Sequence, residues 1–154
     1  MELALYQPDI AQNTGTLLRL GACLGIRLHI IRPAGFAFSD ASLRRSALDY
    51  LEFAEFLEHD SYLDFSAWRQ ANGLRLVLLT TRANRSAYEV EYRSEDVLML
   101  GRESAGVPAS VAETADLQVR IPMRKGARSL NVAIAAGLVL GEAMRQTAGF
   151  AALK

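Results

Sequence analysis

Arg75-Leu76-Val77-Leu78-Leu79-Thr80-Thr81 is a nearly unbroken run of apolar and β-favouring residues. A strand with one wet face alternates apolar and polar residues, whereas a strand covered on both faces reads as this one does. The run therefore predicts a central strand of a parallel sheet. Toward the N-terminus, Tyr62, Phe65 and Trp68 fall at helical spacing within Ser61–Asn72 and predict a helix that buries its aromatic stripe. Leu51–Leu57 predicts an edge strand, and Asp40–Leu48 a short helix capped by Asp40. Arg27–Ile31 predicts a second strand. Thr14–Leu24 predicts a helix, with Asn13 as N-cap and Gly25 as its stop. Leu3–Tyr6 predicts the first strand.

Toward the C-terminus, Ala83–Glu95 is the most polar stretch and predicts a loop. Asp96–Leu100 (DVLML) predicts another buried strand. Ala109–Ala115 predicts a short helix started by Pro108, and Leu117–Ile121 the last strand. Ser129–Ala148 predicts the longest helix, with Ser129 as N-cap and Leu130, Ile134, Leu138 and Val139 as its apolar face. Strand runs alternating with helical patterns predict an α/β fold: a mostly parallel sheet with helices on both faces.

The 154 residues, 51% hydrophobic and 22% charged, predict one domain over 1–154 and exclude a disordered chain. The longest uncharged apolar stretch, Val132 to Gly141, is too short to cross a bilayer, so no membrane partner is expected. The start, MELALYQPDI, lacks the basic n-region of a secretory signal, which predicts a cytoplasmic protein. One cysteine, Cys23, excludes an internal disulfide and reads as a buried, inert thiol. His29 and His59 lie far apart, and no cluster has metal-ligand spacing, so no metal is expected. Net charge is zero, but 15 of the 17 cations are arginine, suited to planar phosphate recognition. Four cations and no acid lie between Leu117 and Gly141, all within Arg120–Arg128. A neutral total can therefore hide a basic face.

In open parallel sheets ligands bind beyond the carboxyl ends of strands. Three such ends carry Gly- or Pro-containing loops that feed helices: Gln7 to Gly15 leading to Arg19, Gly101 to Pro108, and Ile121 to Asn131. Glycines there let backbone amides approach a ligand closely, and helix N-termini add N–H donors. GxGxxG, GxxxxGK[ST] and GxSxG are all missing, which excludes the usual dinucleotide, P-loop and nucleophile-elbow readings. Ser104 and Ser129 have no nearby histidine to activate them and read better as capping hydroxyls.

The three loops resemble the three motifs of the SPOUT (α/β-knot) RNA methyltransferases. Asn13-Thr14-Gly15 with Arg19 is similar to the first motif and Leu100 to Pro108 to the second. Arg120-Ile121-Pro122-Met123 followed by Arg128 to Ala133 is similar to the third. With Leu5-Tyr6-Gln7-Pro8, Leu28 to Ile31, and Leu43-Arg44-Arg45 followed by Leu48-Asp49-Tyr50, the resemblance is strongest to the minimal subgroup, tRNA (cytidine/uridine) wobble-position 2′-O-methyltransferases. The chain departs from that subgroup at Arg102, where proline is usual, at Val132-Ala133 in place of Leu-Ser, and at Gly141 in place of an aromatic residue.

The resemblance implies a C-terminal trefoil knot, a homodimer and S-adenosylmethionine as methyl donor. It implies cofactor contacts at Leu79, Gly101, Ile121, Ser129 and Leu130, several through the backbone. It assigns Arg19 to the reacting ribose and its phosphate. An arginine is essentially always protonated, so a phosphate- and alkoxide-binding fork suits it better than a base. Glu103 would orient that arginine or accept the proton, and Asn13 and Asn131 would fix loops and substrate through amide hydrogen bonds. The basic segment from Arg120 to Arg128, with Arg124, Lys125 and Arg128, together with Arg44, Arg45 and Arg82, would face the anticodon stem-loop of tRNA through its phosphates. Each residue also has a plainer reading: Asn13 and Ser129 as caps, Glu103 as a surface charge, Arg19 as a snorkelling helix residue. Methylation of another tRNA or rRNA nucleotide, a non-catalytic RNA-binding protein of this fold, and a flavodoxin-like small-molecule binder remain alternatives.

Overall fold

The computed structural model describes residues 1–39 and 41–153. Its strands are β1 (Glu2–Tyr6), β2 (Leu28–Ile31), β3 (Phe56–His59), β4 (Arg75–Leu79), β5 (Arg85–Ser86), β6 (Asp96–Leu100) and β7 (Leu117–Arg120). They pair in the order β3-β2-β1-β6-β4-β7-β5, and every pair is parallel. The helices are α1 (Ala11–Leu24), α2 (Ala41–Ala47), α3 (Tyr62–Ala71), α4 (Ala109–Ala112) and α5 (Val132–Gln146).

Successive strand residues point to opposite faces of a sheet, and here they feed two cores. Leu3, Leu5, Val77, Leu98, Leu100 and Val119 pack with Leu17 of α1, Leu43 of α2 and Val139 of α5. Ala4, Tyr6, Leu76, Leu78, Val97 and Met99 pack with Phe65 of α3 and Val111 of α4. The continuous apolar runs of β4 and β6 follow from this double coverage. The parallel α/β fold with helices on both faces is the one the sequence predicts.

Several boundaries differ from expectation. The edge strand is Phe56–His59 rather than Leu51–Leu57, because its register with β2 runs from Leu28↔Phe56 to Ile31↔His59, and Leu48–Glu52 forms a 3-10 turn instead. Within the expected polar loop, Arg85 and Ser86 pair with β7. The cap expected at Asp40 lies outside the described residues. Cys23 is exposed on α1, not buried. On α5 only Val139 of the expected apolar face is buried, with Ala136, Leu140, Ala143 and Met144. Leu130, Ile134 and Leu138 are exposed.

The two histidines meet. His29 is fully buried on β2. Its Nδ1 lies 2.9 Å from His59 Nε2 and its Nε2 lies 2.6 Å from Glu2 Oε2. Both rings pack against Phe65 and Trp68. Burial, followed by the charge of His29, lowers the His59 pKa. Among the described residues no group of three or more His, Cys, Asp or Glu could hold a metal ion.

Candidate functional site

A pocket of about 440 Å³ opens beyond the carboxyl ends of β4, β6 and β7, within the range of small-molecule sites. Its wall contains Leu79 from β4, Gly101 after β6, Ile121 after β7, and Ser129 and Leu130 before α5. The five positions carried over as cofactor contacts thus meet in one cavity. Asn13, Glu103 and Asn131 stand on the same wall.

Those last three form a hydrogen-bonded relay. Asn131 precedes α5, and its Oδ1 accepts from the N–H of Ala133 at 2.8 Å and of Ile134 at 3.3 Å. Its Nδ2 donates to Asn13 Oδ1 at 2.9 Å, and Asn13 Nδ2 donates to Glu103 Oε1 at 3.1 Å. Helix N–H groups can only donate and a carboxylate can only accept, so both amide orientations are dictated from the two ends. Each amide nitrogen retains a second hydrogen that this relay does not use.

Two cap assignments change accordingly. Asn131, not Ser129, caps α5, because its side chain is the one that reaches the first free N–H groups. Asn13 is not a cap but lies inside α1, which begins after the extended residue Ile10 without a side-chain cap. Its amide is thereby left free for the pocket. Nor does Gly15 serve ligand approach. A Cβ there would stand 2.4 Å from the Leu43 carbonyl oxygen, so this glycine permits close packing of α1 on α2.

The loop after β6 is pinned at its neck. The Arg102 N–H donates to the Gly106 carbonyl at 3.0 Å, and the Gly106 N–H to the Arg102 carbonyl at 2.8 Å. Gly106 has φ +68°, a conformation glycine adopts without a steric penalty. At Gly101 a Cβ would lie 2.6 Å from the Gly106 carbonyl carbon. Glu103, inside this loop, also accepts from the Asp9 N–H at 2.8 Å. Asp9 in turn binds Arg102, which with Ser104 holds the Asp9 carboxyl down at about 2. Sequence reasoning missed this contact, although the opposite charges of Asp9 and Arg102, one in each loop, could have signalled it.

Arg19 is not part of the pocket wall. It lies six residues beyond Asn13 on α1, about 9 Å along the axis at 1.5 Å per residue, and its guanidinium carbon sits 5.2 Å from the Tyr50 ring centre. A second cavity of about 340 Å³ shares Thr81, Arg120, Ile121 and Met123 with the first. Arg120, Arg124, Lys125 and Arg128 line it. Arg44, Arg45 and Arg82 are exposed but lie outside both cavities. Arg120, expected as part of the basic segment Arg120–Arg128, lines both cavities.

The chain resembles known proteins over most of its length. The SpoU rRNA methylase family matches residues 1–141. The tRNA (cytidine(34)-2'-O)-methyltransferase of Ancylobacter novellus is 55% identical over 151 residues, 98% of this chain and 96% of that protein. A solved structure described as giving structural insights into the 2-OH methylation of C/U34 on tRNA is 41% identical, with a TM-score of 0.88 and 94% of each chain covered. The SpoU methyltransferase AviRb from Streptomyces viridochromogenes, solved with the cofactor AdoMet, is 26% identical with a TM-score of 0.87. That match covers 95% of this chain and 57% of AviRb.

Proposed function

Because the chain belongs to the SpoU rRNA methylase family, we propose that it is a single-domain tRNA 2′-O-methyltransferase acting on the wobble cytidine or uridine, with S-adenosylmethionine as donor. The observation that carries this reading is the meeting of Leu79, Gly101, Ile121, Ser129 and Leu130 in one pocket, with the Glu103–Asn13–Asn131 relay on its wall. The cavity fits the cofactor chemically: apolar side chains offer a slot for adenine, and Gly101 lets the Gly106 backbone close against the pocket wall. When bound, the cofactor supplies a methyl group activated by a sulfonium.

The chain's own residues meet the remaining demands of the chemistry. The ribose hydroxyl must be held about 3 Å from the methyl carbon, and the developing alkoxide must be stabilised. Both Glu103 oxygens already accept hydrogen bonds, from the Asp9 N–H and from Asn13. Each oxygen keeps a further lone pair, so Glu103 orients Asn13 and is also the acceptor for the hydroxyl proton as the methyl group leaves the sulfonium. The spare amide hydrogens of Asn13 and Asn131 are donors for the hydroxyl oxygen. Arg19 grips the ribose phosphate and stabilises the alkoxide with a permanently charged fork.

Arg19 lies outside the pocket of its own chain, which supports a homodimer in which a second copy presents it. Ile134 and Leu138, one turn apart on α5 and 57% and 45% exposed, offer an apolar face for that contact. The four cations around the second cavity, with Arg44, Arg45 and Arg82, bind anticodon-loop phosphates. The C-terminal segment threads the knot of the fold, a rare topology. Among the described residues no helix is long and apolar enough to cross a membrane; a tRNA substrate is what supports a cytoplasmic site of action.

The test is to incubate the protein with methyl-labelled S-adenosylmethionine and unmodified bulk tRNA, then digest to nucleosides. A labelled 2′-O-methylpyrimidine mapping to the anticodon loop is expected. Cofactor binding without label on tRNA would overturn the substrate assignment, and absence of cofactor binding would overturn the enzyme reading.

A further inference from the structure

The loop from Arg102 to Gly106 forms part of the pocket wall, yet its own backbone fixes only its neck. Its tip is held by a residue more than ninety positions away. Asp9 Oδ1 accepts from Arg102 Nη2 at 2.6 Å and from Arg102 Nε at 3.2 Å. Asp9 Oδ2 accepts from the Ser104 N–H at 3.2 Å and from the Ser104 hydroxyl. The Asp9 N–H donates to Glu103 Oε2 at 2.8 Å. One residue thus grips three consecutive residues of the opposing loop.

The brace itself is firmly seated. Its backbone packs under Gly35, where an added Cβ would lie 3.1 Å from Asp9 Cα, and the Gly35 N–H donates to the Pro8 carbonyl at 2.8 Å. The Asp9 loop is thus tied on its other side to the loop after β2.

We propose that Asp9 and Arg102 form a latch that holds the loop after β6 in its pocket-forming position and thereby sets Glu103, and through it Asn13. Both are positioning residues, since neither needs to touch a reacting atom. The inference rests on the cofactor reading of the pocket. It depends on the residue type at 102: a proline there could provide neither the guanidinium nor the N–H that the Gly106 carbonyl accepts. The latch replaces local rigidity with a charged contact between two distant loops.

The pair is partly exposed, with side-chain exposures of 37% for Arg102 and 21% for Asp9. Breaking it should therefore disturb the site more than the fold. The experiment is a double-mutant cycle, Asp9→Ala, Arg102→Ala and both together, read by calorimetric titration with S-adenosylmethionine and by steady-state methyl transfer. Each single variant should weaken cofactor binding about tenfold. The double variant should also lose about tenfold rather than the hundredfold of independent sites, and Asp9→Glu should recover most of the loss. The cofactor KM should rise while the tRNA KM moves less than twofold. A merely structural defect would lower kcat through loss of active protein at unchanged KM, and thermal unfolding monitors that loss. Additive losses, or singles that bind as the parent does, would overturn the latch. Failure of the unsubstituted protein to bind the cofactor would instead overturn the site on which the latch rests.

Discussion

Gly101→Ala tests the pocket with a single methyl group. The added Cβ would stand 2.6 Å from the Gly106 carbonyl carbon, 2.7 Å from its Cα and 3.0 Å from its oxygen. Ordinary contact begins near 3.4 Å, so the Gly106 backbone must retreat by about 0.8 Å. No flexible side-chain end is available to give way. The Gly106 N–H bond to Arg102, now 2.8 Å, would then exceed hydrogen-bonding distance. Its reciprocal partner at 3.0 Å would stretch with it. Two such bonds are worth about 1–3 kcal/mol together, and overpacking of a tight site costs a similar amount. Taking about 2 kcal/mol, and assigning it to loss of the pocket-forming loop, cofactor affinity should fall about thirtyfold. Calorimetric titration with S-adenosylmethionine measures this directly. Binding within twofold of the parent would refute the claim that the pinned neck shapes the cavity.

Arg19→Ala should abolish methyl transfer to tRNA while cofactor affinity stays within twofold; full activity would remove the role assigned to it. Asn131→Ala removes the α5 cap and the link to Asn13 and should cost about 1 kcal/mol, seen as a fall of about 2–4 °C in the melting midpoint for a chain of this size. Burial, then His29, lowers the His59 pKa, so His59 takes up a proton more readily in the unfolded chain than in the fold. Its contribution is therefore present above the unfolded value of about 6.5 and declines as pH falls below it. Urea midpoints taken between pH 8 and pH 5 should show this fall, and His59→Phe should flatten it. Ile134→Glu should halve the mass seen in sedimentation, and an unchanged mass would move the dimer contact off this face of α5.

Sequence alone made the centre of the fold legible because β4 and β6 are buried on both faces, and such strands have only one reading. The periphery was less legible. Leu130, Ile134 and Leu138 recur with the period of a buried helix face, but periodicity cannot distinguish a face that packs on the sheet from one left exposed. Asn131 and Ser129 are equally good caps in composition, and only the position of the N–H groups chooses between them. The histidine pair was hidden because it depends on the β2–β3 register, which the residue pattern leaves undetermined. The five pocket positions came from motif resemblance, and the ends of parallel strands are where such loops converge. Arg19 was legible as a residue but not in place, since nothing along one chain records its distance from the cavity.

The relay joins Asn13, Glu103 and Asn131, so its members come from near the start, past the middle and near the end of the chain. During synthesis from the N-terminus, Asn13 emerges long before either partner. The nascent chain can pair β1 with β2 early, but β1 must wait for β6 to complete its pairing. The cavity wall is finished only when the residues leading into α5 arrive. A truncated or stalled chain would thus carry much of the sheet and none of the finished site. Loop closure over such separations slows folding, and here it also means that the pocket wall is complete only in chains made past Asn131.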